Sequence, residues 1–132
     1  MNPCILYFSR TGNTKLLAEA IANQTKAPIF SITACEPSIV EQYDTVIIGT
    51  PVEGASPTKE IMAFIDRLPS VQGKKAIFFS TYAMFGNERT MKKMEKKLEE
   101  KGYQGILRVS KKVKKNQPPD FSEPLAELKK VL

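Results

Sequence analysis

The chain has 132 residues, 42% hydrophobic and 26% charged, which suits one folded domain over 1–132 and excludes a disordered chain. It contains no histidine and only two cysteines, Cys4 and Cys35, which removes His-dependent triads, His metal ligands, disulfide scaffolds and four-ligand zinc sites. The net charge of +6 is uneven: residues 1–66 carry 4 basic and 7 acidic groups (−3), and residues 67–132 carry 16 and 7 (+9). No apolar run approaches the ~20 residues of a membrane helix, and residues 1–4 lack a basic n-region, so a soluble cytoplasmic protein without a membrane partner is expected.

In chain order, short apolar runs alternate with helical patterns of ten to fifteen residues, as in βαβ units with a parallel sheet. Strands are expected at 5–8, 29–33, 45–49, 76–80 and 105–110, and helices at 13–24, 57–68, 88–101 and 123–131. Residues 36–43, with Pro37, hold at most a short helical turn. The first helix presents Leu16, Leu17, Ala20 and Ile21 as an apolar face, the second Ile61, Phe64, Ile65 and Leu68, and the third a thinner stripe of Met91, Met94 and Leu98. Those methionines read as core filler. Asn13 or Thr11, Ser56 before Pro57, and Asn87 stand where helix caps are needed.

The first, third and fourth strands are apolar at every position, so both their faces are covered. The second and fifth alternate apolar and polar residues, as half-exposed edge strands do, and Pro28 opens the second. The expected fold class is α/β: a doubly wound five-stranded parallel sheet in the order 2-1-3-4-5 between two helical layers. Its ligand belongs at the carboxyl ends of the central strands.

Ser9-Arg10-Thr11-Gly12-Asn13-Thr14 leaves the first strand and opens a helix. Free backbone N–H groups and the positive helix end converge there, which favours a phosphate. Ser9, Thr11 and Thr14 add hydroxyls, and Gly12 allows close backbone approach. A plain strand–turn–helix with polar caps is the structural alternative.

Residues 5–22, 44–68 and 80–87 together resemble flavodoxins, whose phosphate loop reads Ser/Thr-x-Thr-Gly-x-Thr. The resemblance is strongest to small flavodoxin-like domains, some of which are fused to ferredoxin modules; no Cys-rich cluster motif accompanies this copy. The resemblance implies FMN as cofactor, with Ser9, Arg10, Thr11, Gly12, Asn13 and Thr14 holding its phosphate. It places Thr50, Pro51, Val52, Glu53, Gly54 and Ala55 on one side of the isoalloxazine. Ser80, Thr81, Tyr82, Ala83, Met84, Phe85, Gly86 and Asn87 fall on the other side and at its polar edge. Tyr82 is implied to stack on the ring, a partly buried core tyrosine being the alternative. The peptide at Gly54 is implied to turn its carbonyl toward flavin N5–H on one-electron reduction. Glu53 would oppose an anionic reduced flavin by like-charge repulsion, or stand as a solvated loop carboxylate.

Three departures from the family pattern are visible. The chain has no tryptophan to stack on the ring, Ala83 and Met84 replace frequent glycines, and the charge is basic where flavodoxins are usually acidic. The implied activity is electron exchange with a redox protein of acidic surface, a ferredoxin or a reductase, docking near Arg89, Lys92, Lys93, Lys111, Lys112, Lys114 and Lys115. The other classes kept open are a flavodoxin-fold binding or regulatory module without redox turnover and a small FMN-dependent reductase. Nucleic acid is disfavoured, because residues 111–115 have no interleaved aromatics.

Cys4 and Arg10 also fit the Cys-x5-Arg pattern of low-molecular-weight tyrosine phosphatases, but the residues between them read as a buried strand. A response regulator needs carboxylates where Ser9 and Thr50 stand, and a dinucleotide fold needs more glycines than Gly12. A disulfide between Cys4 and Cys35 is not expected, since a straight reading of the strands puts them at opposite ends, roughly 16 Å apart.

Overall fold

The computed structural model describes residues 1–132. Five strands form one sheet: β1 (Pro3–Tyr7), β2 (Ile29–Ser31), β3 (Thr45–Pro51), β4 (Lys74–Tyr82) and β5 (Tyr103–Lys112). The order is β2-β1-β3-β4-β5 and every pairing is parallel, as the alternation of strand and helix signals predicts. The helices are α1 (Asn13–Thr25), α2 (Lys59–Asp66), α3 (Asn87–Glu100) and α4 (Ser122–Lys129), and a 3-10 helix covers Pro37–Gln42.

Side chains of the central strands alternate between two apolar layers, which is why their sequences are apolar throughout. Ile5, Ile47, Ile77 and Phe79 meet Leu17, Ala18 and Ile21 of α1 and Leu128 of α4. Leu6, Val46, Ile48 and Phe78 meet Ile61, Phe64 and Ile65 of α2 and Met91, Met94 and Leu98 of α3. The methionine stripe is core, as expected. On α1 the apolar face is rotated by one residue: Thr14, Leu17, Ala18 and Ile21 are buried, whereas Leu16 is exposed. The turn into α1 sets that phase, because Gly12 at φ 104° is the cap and helical geometry begins at Asn13.

The caps also differ from the sequence reading. Gly12 and Gly86 cap α1 and α3 in left-handed conformations without any side-chain cap bond. Thr58 caps α2, its hydroxyl accepting the Ile61 N–H at 3.2 Å. Asn87 lies inside α3 and its amide donates to the Ser110 hydroxyl of β5 at 2.8 Å, which ties the helix start to the sheet edge.

β2 is shorter than expected, because a turn follows Ser31 and the 3-10 helix then returns the chain. That turn leaves Cys35 against the apolar layer that contains Cys4 rather than at the opposite end of the sheet, and both thiols are free. Burial, with a smaller contribution from Cys35, pushes the Cys4 thiol up to about 12. Such a thiol is not a nucleophile at neutral pH.

The β3–β4 register places Gly49 beside Phe79. A Cβ at Gly49 would lie 2.1 Å from the Phe79 ring, which is itself fully buried and cannot swing away. Gly49→Ala is therefore expected to cost about 1–3 kcal/mol, read as a lower urea midpoint with unchanged slope. A midpoint equal to that of the parent would show that the ring has room to move.

Candidate cofactor cleft

Parallel pairing brings the carboxyl ends of β1, β3 and β4 to one edge of the sheet, and their loops surround a cleft of about 510 Å³. The β1–α1 loop contributes Arg10, Thr11 and Asn13 to its wall, and the loop after β3 contributes Pro51, Val52 and Glu53. Thr81, Tyr82 and Ala83 come from the end of β4. A fourth wall is made by Val113, Lys114 and Lys115 after β5, where the two lysines were expected at a partner-docking surface rather than in the cleft itself. The signal was present in the parallel β4–β5 pairing, which brings the exit of β5 to the same edge.

The β1–α1 loop is built to present donors. The Ser9 hydroxyl oxygen accepts N–H bonds from Gly12 at 3.1 Å and Lys15 at 3.2 Å, leaving its own proton free to donate outward. The backbone N–H groups of Thr11, Asn13 and Thr14 have no protein acceptor, because they precede the first intrahelical bond and no side chain caps them. Gly12, at φ 104°, makes the turn and has open space where a Cβ would stand. The Thr14 hydroxyl is not among the outward groups: it is buried and bonded to the Thr81 hydroxyl at 2.7 Å, joining α1 to β4.

The Arg10 side chain stands in the cleft wall and is engaged by carboxylates. It forms ion pairs with Glu53, through Nε, and with Glu60, at 3.0 Å, so it bridges the β1–α1 loop to the loop after β3 and the start of α2. Its guanidinium also lies 5.0 Å from the centroid of the Phe8 ring. These bonds raise the Arg10 pKa above its ordinary value and hold Glu60 below the usual carboxylate range.

Thr50 is fully buried, donating to the Pro51 carbonyl at 2.9 Å and accepting the Thr58 N–H at 3.2 Å, so it braces the loop rather than lining the cleft. Residues 53–56 form a tight turn in which Glu53 and Ser56 exchange backbone bonds of 2.9 and 3.1 Å. Gly54 and Ala55 occupy its corners at φ 57° and 58°. Gly86 packs against this turn, since a Cβ there would come within 2.7 Å of Ala55 Cα. Lys93 reaches across from α3 to the Ser56 hydroxyl at 2.5 Å, so it is a brace and not a free surface cation. Between these contacts Met84 and Phe85 protrude, 76% and 70% exposed, and Phe85 takes no part in the cleft wall. Ser80 is fully buried with an unpartnered hydroxyl, and Asn87 is engaged by Ser110, so neither reaches the cleft.

With this geometry in place, the relatives are informative. The flavodoxin domain family matches residues 4–110, and the chain belongs to that family. An uncharacterised protein of Methanocaldococcus jannaschii is 34% identical over 106 residues, covering 79% of this chain and 70% of its own length. The flavodoxin of Megasphaera elsdenii is 28% identical over 110 residues, 74% of this chain and 77% of its own length. The solution structure of that flavodoxin in its two-electron reduced form superimposes with a TM-score of 0.75 at 24% identity, covering 88% and 90% of the two chains. A flavoprotein from Lactobacillus acidophilus, solved in complex with FMN, shares the fold with a TM-score of 0.66 at 18% identity over 83% and 92%.

Ala55 is a non-glycine residue in a left-handed corner, which costs about 1 kcal/mol. Ala55→Gly is expected to raise unfolding stability by roughly that amount in a urea titration. An unchanged or lower value would mean that the methyl group contributes packing against Gly86 that outweighs the backbone strain.

Proposed function

We propose that the chain is a single-domain cytoplasmic protein that binds one FMN noncovalently in this cleft and exchanges electrons with a partner redox protein. The observation that carries the reading is the set of unpaired N–H groups of Thr11, Asn13 and Thr14, with the free Ser9 hydroxyl, at the positive end of α1. A phosphate supplies the acceptors those donors lack. In this reading Gly12 permits the close approach of the phosphate, and Pro51, Val52, Glu53, Gly54 and Ala55 flank one side of the ring system. Tyr82 covers the other side, with Thr81 and Ala83 beside it. FMN bound there supplies one- and two-electron transfer. The chain's own residues hold the phosphate, shield the ring from water and orient it toward the open edge of the sheet.

The partner reading rests on charge. Arg89 and Lys92 on the first turns of α3, and Lys111 and Lys112 at the end of β5, form no ion pair with any carboxylate and stand around the cleft edge. A rim of one sign steers a partner of the other, a ferredoxin or a reductase with an acidic face.

FMN is expected to bind more tightly than riboflavin, because each charge-assisted bond to phosphate contributes roughly 1.5–3 kcal/mol. Flavin-fluorescence quenching measures both, and equal affinities would remove the phosphate assignment. Tyr82→Ala is expected to weaken FMN by about 1–2 kcal/mol with the fold intact; an unchanged dissociation constant would shift ring coverage to Val52. Association with an acidic redox protein should slow steeply as the screening length falls from about 30 Å at 0.01 M salt to about 8 Å at 0.15 M. Replacing Lys111 and Lys112 by Gln should flatten that dependence, and a slope equal to the parent's would place the docking surface elsewhere.

A further inference from the structure

The segment after β5 is held at the cleft by its backbone. The Val113 N–H donates to the Tyr82 carbonyl at 2.8 Å, which continues the β4–β5 ladder one residue beyond the strand. Asn116, at φ 64°, then turns the chain, and the Gln117 N–H closes that turn onto the Lys114 carbonyl. Lys114 and Lys115 lie between these two fixed points, in the wall of the cleft and next to Tyr82.

The charges around the cleft do not cancel evenly. Among its lining residues the ionised groups are Arg10, Glu53, Lys114 and Lys115. Arg10 is satisfied by Glu53 and by Glu60, so that side of the cleft sums to one excess negative charge held in a closed network. Lys114 and Lys115 have no carboxylate in ion-pair range, and both side chains are exposed to the cleft and to solvent. The nearest acid on their own segment, Asp120, shares a neighbouring groove with Lys111, Lys112 and Lys114, and its carboxylate accepts the Ser122 N–H at 3.0 Å. Two unpaired cations therefore face the place where a flavin gains charge.

We propose that Lys114 and Lys115 are cofactor-site residues that bind reduced FMN in preference to oxidised FMN, and so make the bound cofactor a weaker reductant than the same cleft without them. The inference rests on the FMN reading above and deepens it. A flavin that takes up two electrons from its partner protein and one proton from water carries one more negative charge than before. A fixed positive charge within a screening length lowers the energy of that state selectively. A lysine that touched only the phosphate would act on both oxidation states alike and leave the potential unchanged.

The test is a pair of measurements on the full chain reconstituted with FMN. The affinity of oxidised FMN is measured by fluorescence quenching, and the potential by equilibration with a reference dye. In Lys114→Gln/Lys115→Gln the preference for reduced over oxidised FMN is expected to fall about tenfold, on the order of 30 mV in the two-electron couple. Lys114→Arg/Lys115→Arg should keep the parent's potential. Lys96→Gln/Lys129→Gln removes the same net charge from α3 and α4, outside the cleft wall, and should also leave it in place. A potential unmoved by Lys114→Gln/Lys115→Gln, or moved equally by Lys96→Gln/Lys129→Gln, overturns this inference alone. A parent chain that does not bind FMN overturns the cofactor reading and this inference with it.

Discussion

Parallel pairing of β1 with β3 and of β3 with β4 forces three strands to end at one edge of the sheet, and every candidate function in this chain depends on that constraint. The pairing is specified by burial on both faces: a strand apolar at every position is stable only between two covering layers. Helices α1 and α4 supply one layer, α2 and α3 the other. The loops that leave the shared edge then have no choice but to converge. Buried hydroxyls hold them where they converge, the Thr14–Thr81 bond joining the first loop to β4 and the Thr50–Thr58 contact bracing the second.

On this frame the cleft is assembled from groups of two kinds. Backbone donors are positioned by the capping glycine Gly12, whose positive φ turns the chain into α1 and whose lack of a side chain leaves the N–H groups of Asn13 and Thr14 without a protein acceptor. Charged side chains are distributed so that one wall is closed into an ion-pair network of Arg10, Glu53 and Glu60 with one excess negative charge, while the other keeps free lysines. The first wall gains rigidity from its ion pairs. The second keeps its charge available to whatever enters.

The fold was legible because its signals were redundant. Apolar runs marked β1, β3 and β4, alternation marked β2 and β5 as edges, and the helical stripes of α2 and α3 named their buried residues correctly. The phase of α1 was not legible from apolar spacing, because Leu16 and Leu17 compete for the same face and the glycine cap decides between them. The donor loop was visible as a motif, yet the partners of its side chains were not. Arg10 finds its carboxylates 43 and 50 residues away, and Thr14 its hydroxyl partner 67 residues away. Single-sequence patterns carry no information about contacts at that range. For residues 111–115 the parallel strands already implied the shared edge, and the continued β4–β5 ladder carries Lys114 and Lys115 from a docking surface into the cleft wall itself.

In the proposed reading a phosphate-bearing flavin sits on the N–H groups of the β1–α1 loop and against the wall formed by Tyr82 and residues 113–115. Backbone amide shifts of the apoprotein, recorded by heteronuclear NMR during titration with FMN and then with riboflavin, test it most directly. FMN is expected to move the amides of Thr11, Asn13 and Thr14 strongly downfield, as N–H groups gaining a phosphate acceptor do, and also to perturb Tyr82, Val113, Lys114 and Lys115. Riboflavin should perturb the second group and spare the first. Shifts confined to other surfaces, or a loop that responds equally to both ligands, would rule out phosphate binding at this loop.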